Sequence, residues 1–370
     1  MPIMGSRAAY TLYDVARAAG VSTATVSRVV NGKDGVRSST RDRVLEVIEA
    51  VGYVPDGAAQ SMAWQRKEVI GLVSIPSRGP ETDIEREGMS FIEEVLRGVE
   101  QALRQVGWSV LISVLPESDR SVAYRQLQKI SAKVDGMLIA EGVVSSQHLA
   151  RLATRTPIVL VAGSLDEQHA DVVDAENWSG TVALARHLLE EHGRRRLFYV
   201  SGPPEAPDSQ ERRRAFEATV AQHPEATLMG IFEGQFAAIS GQMAAREILA
   251  RPQGELPDAI VCGNDQMAIG AMRELQAAGI RVPADIAVAG FDDIRLGSLF
   301  TPSLTTVRQS LRLLGERACS LLLDRIANPA LPRRIERLPT ELIARESCGC
   351  PPVENLPYRP AADLARGLTG

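Results

Sequence analysis

An α/β chain, with a three-helix unit at its amino end and a two-lobed, doubly wound body behind it, is what the sequence predicts. Three observations carry that reading. Residues 11–32 spell two short capped helices separated by a glycine turn. From Val69 onward, short apolar runs alternate with helix-type stretches, the pattern of βαβ units whose parallel strands are buried on both faces. A chain of 370 residues, 45% of them hydrophobic, is too long for one small core and rich enough to fill two or three.

The first helix opens at Thr11, which forms a capping box with Asp14. Its apolar set Leu12, Val15, Ala16 and Ala19 recurs at helical spacing, and Gly20, free to take a positive φ, ends it. Ser22 is the natural N-cap of the second helix, Val26, Val29 and Val30 form its buried stripe, and Asn31-Gly32 stops it. Two such short helices joined by about three residues match the helix-turn-helix geometry, whose second helix offers its N-terminal residues to the DNA major groove. An ordinary αα-hairpin is the competing reading. A third helix is announced by Ser38, Ser39 and Thr40 and carries Val44, Val47, Ile48 and Val51 to Gly52. Pro55 forbids continuing it, and Asp56 can cap a new short helix. The expected organisation is therefore a headpiece over 1–55 and a hinge helix with linker over 56–67.

In the body, strands are expected at Val69, Ser109, Gly136, Ile158, Leu197, Ala259 and Ile286, with helices near 91–106, 121–133, 178–192, 209–222, 239–250, 266–278 and 310–327. That many parallel strands divide more naturally into two lobes than one sheet, and ligands in such folds sit at the carboxyl ends of strands. Residues 68–346 are assigned to this domain, with the chain crossing between lobes near 163–175, 303–310 and 333–342. Residues 347–370, rich in proline and without heptads, are read as a poorly ordered tail rather than a coiled coil.

The net charge of −5 is unevenly spread: residues 1–68 hold nine Lys/Arg against seven Asp/Glu, so the basic excess lies at the amino end and the body is acidic. That suits a protein touching DNA with one end, with hydroxyls such as Ser22, Thr25, Ser27 and Thr40 meeting phosphates. No long apolar run and no hydrophobic leader are found, so a cytoplasmic protein without a membrane partner is expected. Cys262, Cys319, Cys348 and Cys350 are read as reduced thiols. Cys348-Gly-Cys350 is half a metal site, but no neighbouring Cys or His cluster completes the four ligands that structural zinc wants, so no metal or cofactor is expected. With no Gly-x-Gly-x-x-Gly after a strand, no phosphate loop, no Gly-x-Ser-x-Gly elbow and scattered histidines, no catalytic residues are assigned and the chain is not read as an enzyme.

Thr-Leu-Tyr-Asp-Val-Ala, Gly-Val-Ser-x-x-Thr-Val-Ser-Arg-Val-Val-Asn, Val-Arg-Ser-Ser-Thr-Arg-Asp-Arg-Val and Gly-Tyr-x-Pro stand in order across residues 11–64. This stretch resembles the headpiece and hinge of the lactose-repressor (LacI/GalR-type) family of bacterial transcription regulators. The body, to about residue 346, resembles the periplasmic-binding-protein-like sensor of the same regulators through Gly202-Pro203, Arg212-Arg-Arg-Ala-Phe216, Gly234-Gln-Phe236, Cys262-Gly-Asn264-Asp265, Gly290-Phe-Asp292-Asp293 and Pro302-Ser-Leu-Thr-Thr-Val.

The resemblance implies that Thr23, Ala24 and Arg28 read bases, supported on the backbone by Thr11, Leu12, Tyr13, Ser22, Thr25, Ser27 and Asn31. Asp56, Ala59 and Met62 are implied for the hinge. Met62 stands where relatives insert a leucine between base steps, and Asp56 where they favour asparagine. It also implies that Arg212, Asn264 and Asp292 make polar effector contacts while Phe236 covers the ligand, with Phe91 and Ala162 at the first lobe's side of the cleft. Other readings stay open: Arg212 as a surface arginine, Asn264, Asp292 and Asp293 as helix caps, Phe236 as plain core. Where sugar-responsive relatives often carry an acidic residue, this chain has Ala162, and the segment from Pro76 to Phe91 is longer and more charged than its turn requires.

The expected function is a DNA-binding transcriptional regulator, a repressor, that grips a palindromic operator as a homodimer and is controlled allosterically by a small molecule, with sugar preferred. The alternatives are a nucleobase co-repressor in the same fold, or a regulator without an effector.

Overall fold

The computed structural model describes residues 10–30, 33–53, 66–74, 90–115, 120–140, 145–164 and 166–352. Two compact units result, Met1–Glu68 and Val69–Gly370. Asn31, Asp56, Ala59, Met62, most of the hinge and the segment 76–89 lie outside the described residues.

The first unit holds α1 (Leu12–Ala19), α2 (Thr23–Val30) and α3 (Ser38–Val51). Both halves of the α1 capping box form: Thr11 N–H donates to Asp14 Oδ2 at 2.9 Å, and Asp14 N–H donates to Thr11 Oγ1 at 3.4 Å. Gly20 closes the helix with φ 64°. At α2, Thr25 N–H donates to Ser22 Oγ at 3.1 Å. The third helix starts at Ser38, as its sequence announces, and Arg37 holds its N-cap position without a side-chain hydrogen bond. Val15, Ala16, Ala19, Val26, Val29 and Val44 form one small core, each fully buried valine contributing about 1.5–3 kcal/mol.

The second unit is two lobes. The first has a six-stranded sheet in the order β11-β5-β4-β3-β1-β2, parallel at every pairing. Its strands are β1 (Val69–Ser74), β2 (Ser109–Val114), β3 (Gly136–Ala140), β4 (Ile158–Val161), β5 (Asp171–Ala175) and β11 (Ile335–Leu338). Helices α4 (Ser90–Arg104), α5 (Arg120–Ser131), α6 (Ser146–Ala153) and α12 (Leu311–Ala327) accompany it. The second lobe's sheet runs β7-β6-β8-β9, again parallel, from β6 (Arg196–Ser201), β7 (Thr227–Glu233), β8 (Ala259–Cys262) and β9 (Ala287–Ala289). Around it lie α7 (Asn177–Arg186), α8 (Pro207–Ala221), α9 (Ala238–Leu249), α10 (Asp265–Ala277) and the short α11 (Arg295–Leu299). An antiparallel pair, β10 (Thr306–Gln309) with β12 (Thr340–Ile343), joins the second lobe.

The chain passes between lobes at Glu176, Ser310 and Pro339, where β5 gives way to α7, β10 to α12, and β11 to β12. At the amino ends of β5 and β11, away from these passages, the first lobe carries a buried ion pair: Arg325 Nη2 lies 2.7 Å from Asp171 Oδ1, with Asp171 almost fully enclosed.

Two expectations are corrected. The tail does not begin at 347, because Ser347 and Cys348 are fully buried: Ser347 Oγ donates to Val288 O at 2.6 Å and accepts from Thr305 N–H at 2.8 Å. Nor does Cys348-Gly-Cys350 stand without histidines. The fold brings His187 and His192 to it, and the four ligand atoms lie within 4.8 Å of one another. No helix among the described residues is long and apolar enough to cross a membrane.

Candidate effector site and DNA-reading face

The polar centre of the second unit forms at the carboxyl ends of its strands, as turn geometry in βαβ folds dictates. Arg212, on the inner face of α8, is 3% exposed and therefore not a surface arginine. Its Nε donates to Asn177 Oδ1 at 2.8 Å and its Nη1 to Gly263 O at 2.7 Å, while its guanidinium lies over the Phe291 ring at 3.8 Å. Asp208 Oδ2 stands 3.4 Å from Nη2, and Asp292 Oδ1 stands 3.6 Å from Nη1.

Asp292 is not a helix cap. It bridges to β10 through Arg308, and its Oδ1 accepts from Gln309 Nε2 at 2.5 Å. Burial pushes its carboxyl up, against the pull of Arg212 and the Gln309 hydrogen bond, to about 7. Asn264 does cap: it begins α10, with Met267 N–H donating to its Oδ1 at 3.0 Å. Its Nδ2 donates to Phe236 O at 2.9 Å, which ties the cap to the aromatic turn. Phe236 is half-buried, and its ring rests on the Gly202 backbone, where any Cβ would stand 2.2 Å from it.

Among the described residues, the non-glycine positions with positive φ are Glu68, Ala162, Phe236, Asp292 and Asp293. All but the first lie in strand-to-helix or strand-to-turn positions of this region, and such backbone strain of about 1–3 kcal/mol each persists only where surroundings enforce it. Asp293 is held by Arg308 at 2.7 Å and by Arg345 at 2.6 Å. Ala162 directly follows β4, and Phe91 packs against the helix-covered core of the first lobe. Neither side chain offers a hydrogen-bonding group.

The sequence reading missed several members of this network. Asp174, at the end of β5, accepts from Asn177 Nδ2 at 3.2 Å, so a relay Asp174–Asn177–Arg212 runs across the first passage between lobes. Burial, with Asp208 nearby, pushes Asp174 up to about 7. Asp265 is fully buried, accepting from Thr306 Oγ1 at 2.6 Å and Ile294 N–H at 2.9 Å; burial, then Asp292, holds its carboxyl well above the usual range. Polar residues in the otherwise apolar run Asp171-Val-Val-Asp-Ala-Glu-Asn were the available signal.

In the first unit, Thr11, Tyr13, Ser22, Ala24 and Arg28 are exposed, Tyr13 at 76%, while Leu12, Thr23, Thr25 and Ser27 are half-buried. Val26 and Val29 turn the other face of α2 into the core, leaving one polar face outward.

The description "Bacterial regulatory proteins, lacI family" matches residues 11–56, and "Periplasmic binding protein-like domain" matches residues 185–348. The HTH-type transcriptional repressor PurR of Aliivibrio fischeri (strain ATCC 700601 / ES114) is 32% identical over 345 residues, covering 91% of this chain and 98% of the relative. Among solved structures, the lac repressor dimer bound to operator and the anti-inducer ONPF aligns with a TM-score of 0.80 at 27% identity, over 92% of this chain and 99% of the other. A transcriptional regulator CelR–cellobiose complex aligns with a TM-score of 0.67 at 30% identity, over 91% of this chain and 99% of that one.

Proposed function

Because the chain belongs to the lacI family of bacterial regulatory proteins, we propose that it represses transcription as a homodimer on a palindromic operator, under control of a sugar held by Arg212, Asp292 and Asn264 beneath Phe236. The observation that carries the effector reading is the Arg212–Asp292 spacing of 3.6 Å between two buried side chains. That is ion-pair range but longer than a hydrogen bond, so a hydroxyl can accept from the guanidinium and donate to the carboxylate. Phe236 then supplies an apolar lid for the C–H face of a sugar ring. The CelR–cellobiose likeness supports the same ligand class.

A nucleobase is the second reading. Ala162 favours it, since the resemblance places an acidic hydroxyl anchor there in sugar-responsive relatives. Occupancy shifts operator affinity only by the ligand's differential affinity for the DNA-competent and DNA-incompetent states. One headpiece makes too few contacts for useful specificity, which is the physical reason for pairing.

Thermal-shift screening of mono- and oligosaccharides against purines, followed by operator titration by fluorescence anisotropy at fixed salt, tests this. A sugar that raises the melting temperature and changes operator affinity supports the first reading, and a purine doing so establishes the second. Absence of preference for any palindromic over random duplex overturns the regulator assignment for these residues.

A further inference from the structure

The second lobe carries a cluster that the effector network does not use. His187 directly follows helix α7 and His192 closes the turn after it, and Cys348 and Cys350 come from the segment after β12. His187 Nε2 lies 3.4 Å from Cys348 Sγ and 3.6 Å from Cys350 Sγ, and His192 Nε2 lies 3.1 Å from His187 Nε2 and 3.4 Å from Cys350 Sγ. A zinc ion about 2.0–2.1 Å from nitrogen and about 2.3 Å from sulfur sets tetrahedron edges of roughly 3.4–3.8 Å. These four spacings are close to those edges, and all six lie within 4.8 Å.

We propose that His187, His192, Cys348 and Cys350 form a closed, structural site for one Zn2+ ion that fastens the C-terminal segment to the end of α7.

Three local features serve this arrangement. The backbone changes to a π-turn over His187–Glu191, and His192 N–H donates to His187 O at 3.3 Å. Residues five apart lie on well-separated faces of an α-helix; the wider π-turn brings them to one side, and such turns are rare and concentrated at functional sites. Between the cysteines, Gly349 has φ 112°, and a Cβ there would stand 3.3 Å from His192 Nδ1. Only glycine both makes this turn easily and leaves the ring its place. Finally, His187 Nδ1 lies 3.0 Å from Glu191 Oε2. A carboxylate on Nδ1 fixes the tautomer that leaves the Nε2 lone pair aimed at the cluster, the usual outer partner of a metal-bound histidine.

The chemistry balances without further groups. Two thiols release their protons to solvent, two neutral imidazoles give lone pairs, and two thiolates neutralise the dication. Four protein ligands leave no open position, so the site is structural rather than catalytic. It also lies at the end of α7 opposite Asn177, the residue that orients Arg212.

The test uses the reduced full-length chain. Plasma mass spectrometry after dialysis against metal-free buffer should find about one zinc per chain, and Co2+ added to the chelator-stripped protein should give the visible bands of a tetrahedral thiolate site, bleached by zinc. His192→Ala and Cys350→Ser, at half-buried positions, should lower retained zinc to about a tenth or less and abolish the cobalt bands, with far-ultraviolet circular dichroism unchanged. Cys319→Ala, elsewhere in the molecule, should retain the metal. Absence of zinc together with absence of cobalt bands overturns the proposal, as does metal binding unaltered in both ligand variants. A Cys348–Cys350 disulfide in protein purified under reducing conditions overturns it as well.

Discussion

Arg212 and Asp292 face each other at 3.6 Å with both side chains enclosed, and each is steadied by a different element, Arg212 by Asn177 of α7 and Asp292 by Gln309 of β10. The pair is thus positioned by residues on either side of two passages between lobes. Replacing Arg212 by Ala or Asp292 by Asn is expected to weaken effector binding by about 1.5–3 kcal/mol, roughly tenfold to a hundredfold, while operator binding without effector persists. Calorimetric titration of the effector and operator anisotropy, measured side by side, separate these effects.

Asp174 and Asp292 make stability depend on pH in a definite direction. Both carboxyls are pushed up to about 7 in the folded chain, chiefly by burial, whereas an unfolded aspartate titrates near 4. Between those values the folded state holds protons that the unfolded state has released, so their contribution is fully present below about pH 4 and is lost as pH rises toward 7. Unfolding free energies from denaturant titrations at pH 5 to 7 should fall with rising pH from these groups, by at most about 1.4 kcal/mol per pH unit for each. Asp174→Asn should flatten that slope; an unchanged slope refutes the assignment.

Arg28 is the strongest candidate for base discrimination on the exposed face of α2. Arg28→Ala should cost about 1–3 kcal/mol of preference at one base-pair position of each half-site while leaving binding to random duplex less affected. A binding-site selection carried out with both proteins would show degeneracy confined to that position.

Removing Arg325 leaves the buried Asp171 carboxylate to the longer 3.7 Å approach of Arg334 and that residue's backbone N–H. Because Arg334 remains beside Asp171, Arg325→Met should destabilise the body by up to about 3 kcal/mol, and adding Asp171→Leu should recover part of that loss. Urea unfolding of the single and double variants gives the comparison.

At the hinge, the resemblance places asparagine where this chain has Asp56, and a carboxylate beside phosphates is unfavourable. Asp56→Asn should tighten operator binding. Looser binding in a gel-shift titration would rule the idea out.

The elements legible in the sequence were those whose chemistry is local. Thr11 and Asp14 are three residues apart and form their capping box by themselves. Strands β1 to β4, β6, β8 and β9 are apolar runs of the kind that parallel sheets bury. Strand β5 was hidden because Asp171 and Asp174 interrupt its apolar pattern, although partners from distant segments bury all five residues. Strand β7 is a half-exposed edge, and β10, β11 and β12 are four residues each, too short to show a period. The Arg212 neighbourhood was read from motif positions, but Asn177 and Gln309 enter it only because the chain changes lobes beside them. The His187–Cys348 encounter was invisible because no spacing rule relates residues so far apart.

Passing from lobe to lobe at Glu176, Ser310 and Pro339 makes each lobe discontinuous in the gene: the first takes residues 69–175 and 311–338, the second 177–309 and the stretch from 340. No single cut separates them. Neither lobe can be expressed, swapped with a paralogue or reshuffled whole as one contiguous fragment, so exchanging a complete lobe takes several joints, whereas the headpiece, lying on one side of residue 68, can be grafted with a single joint.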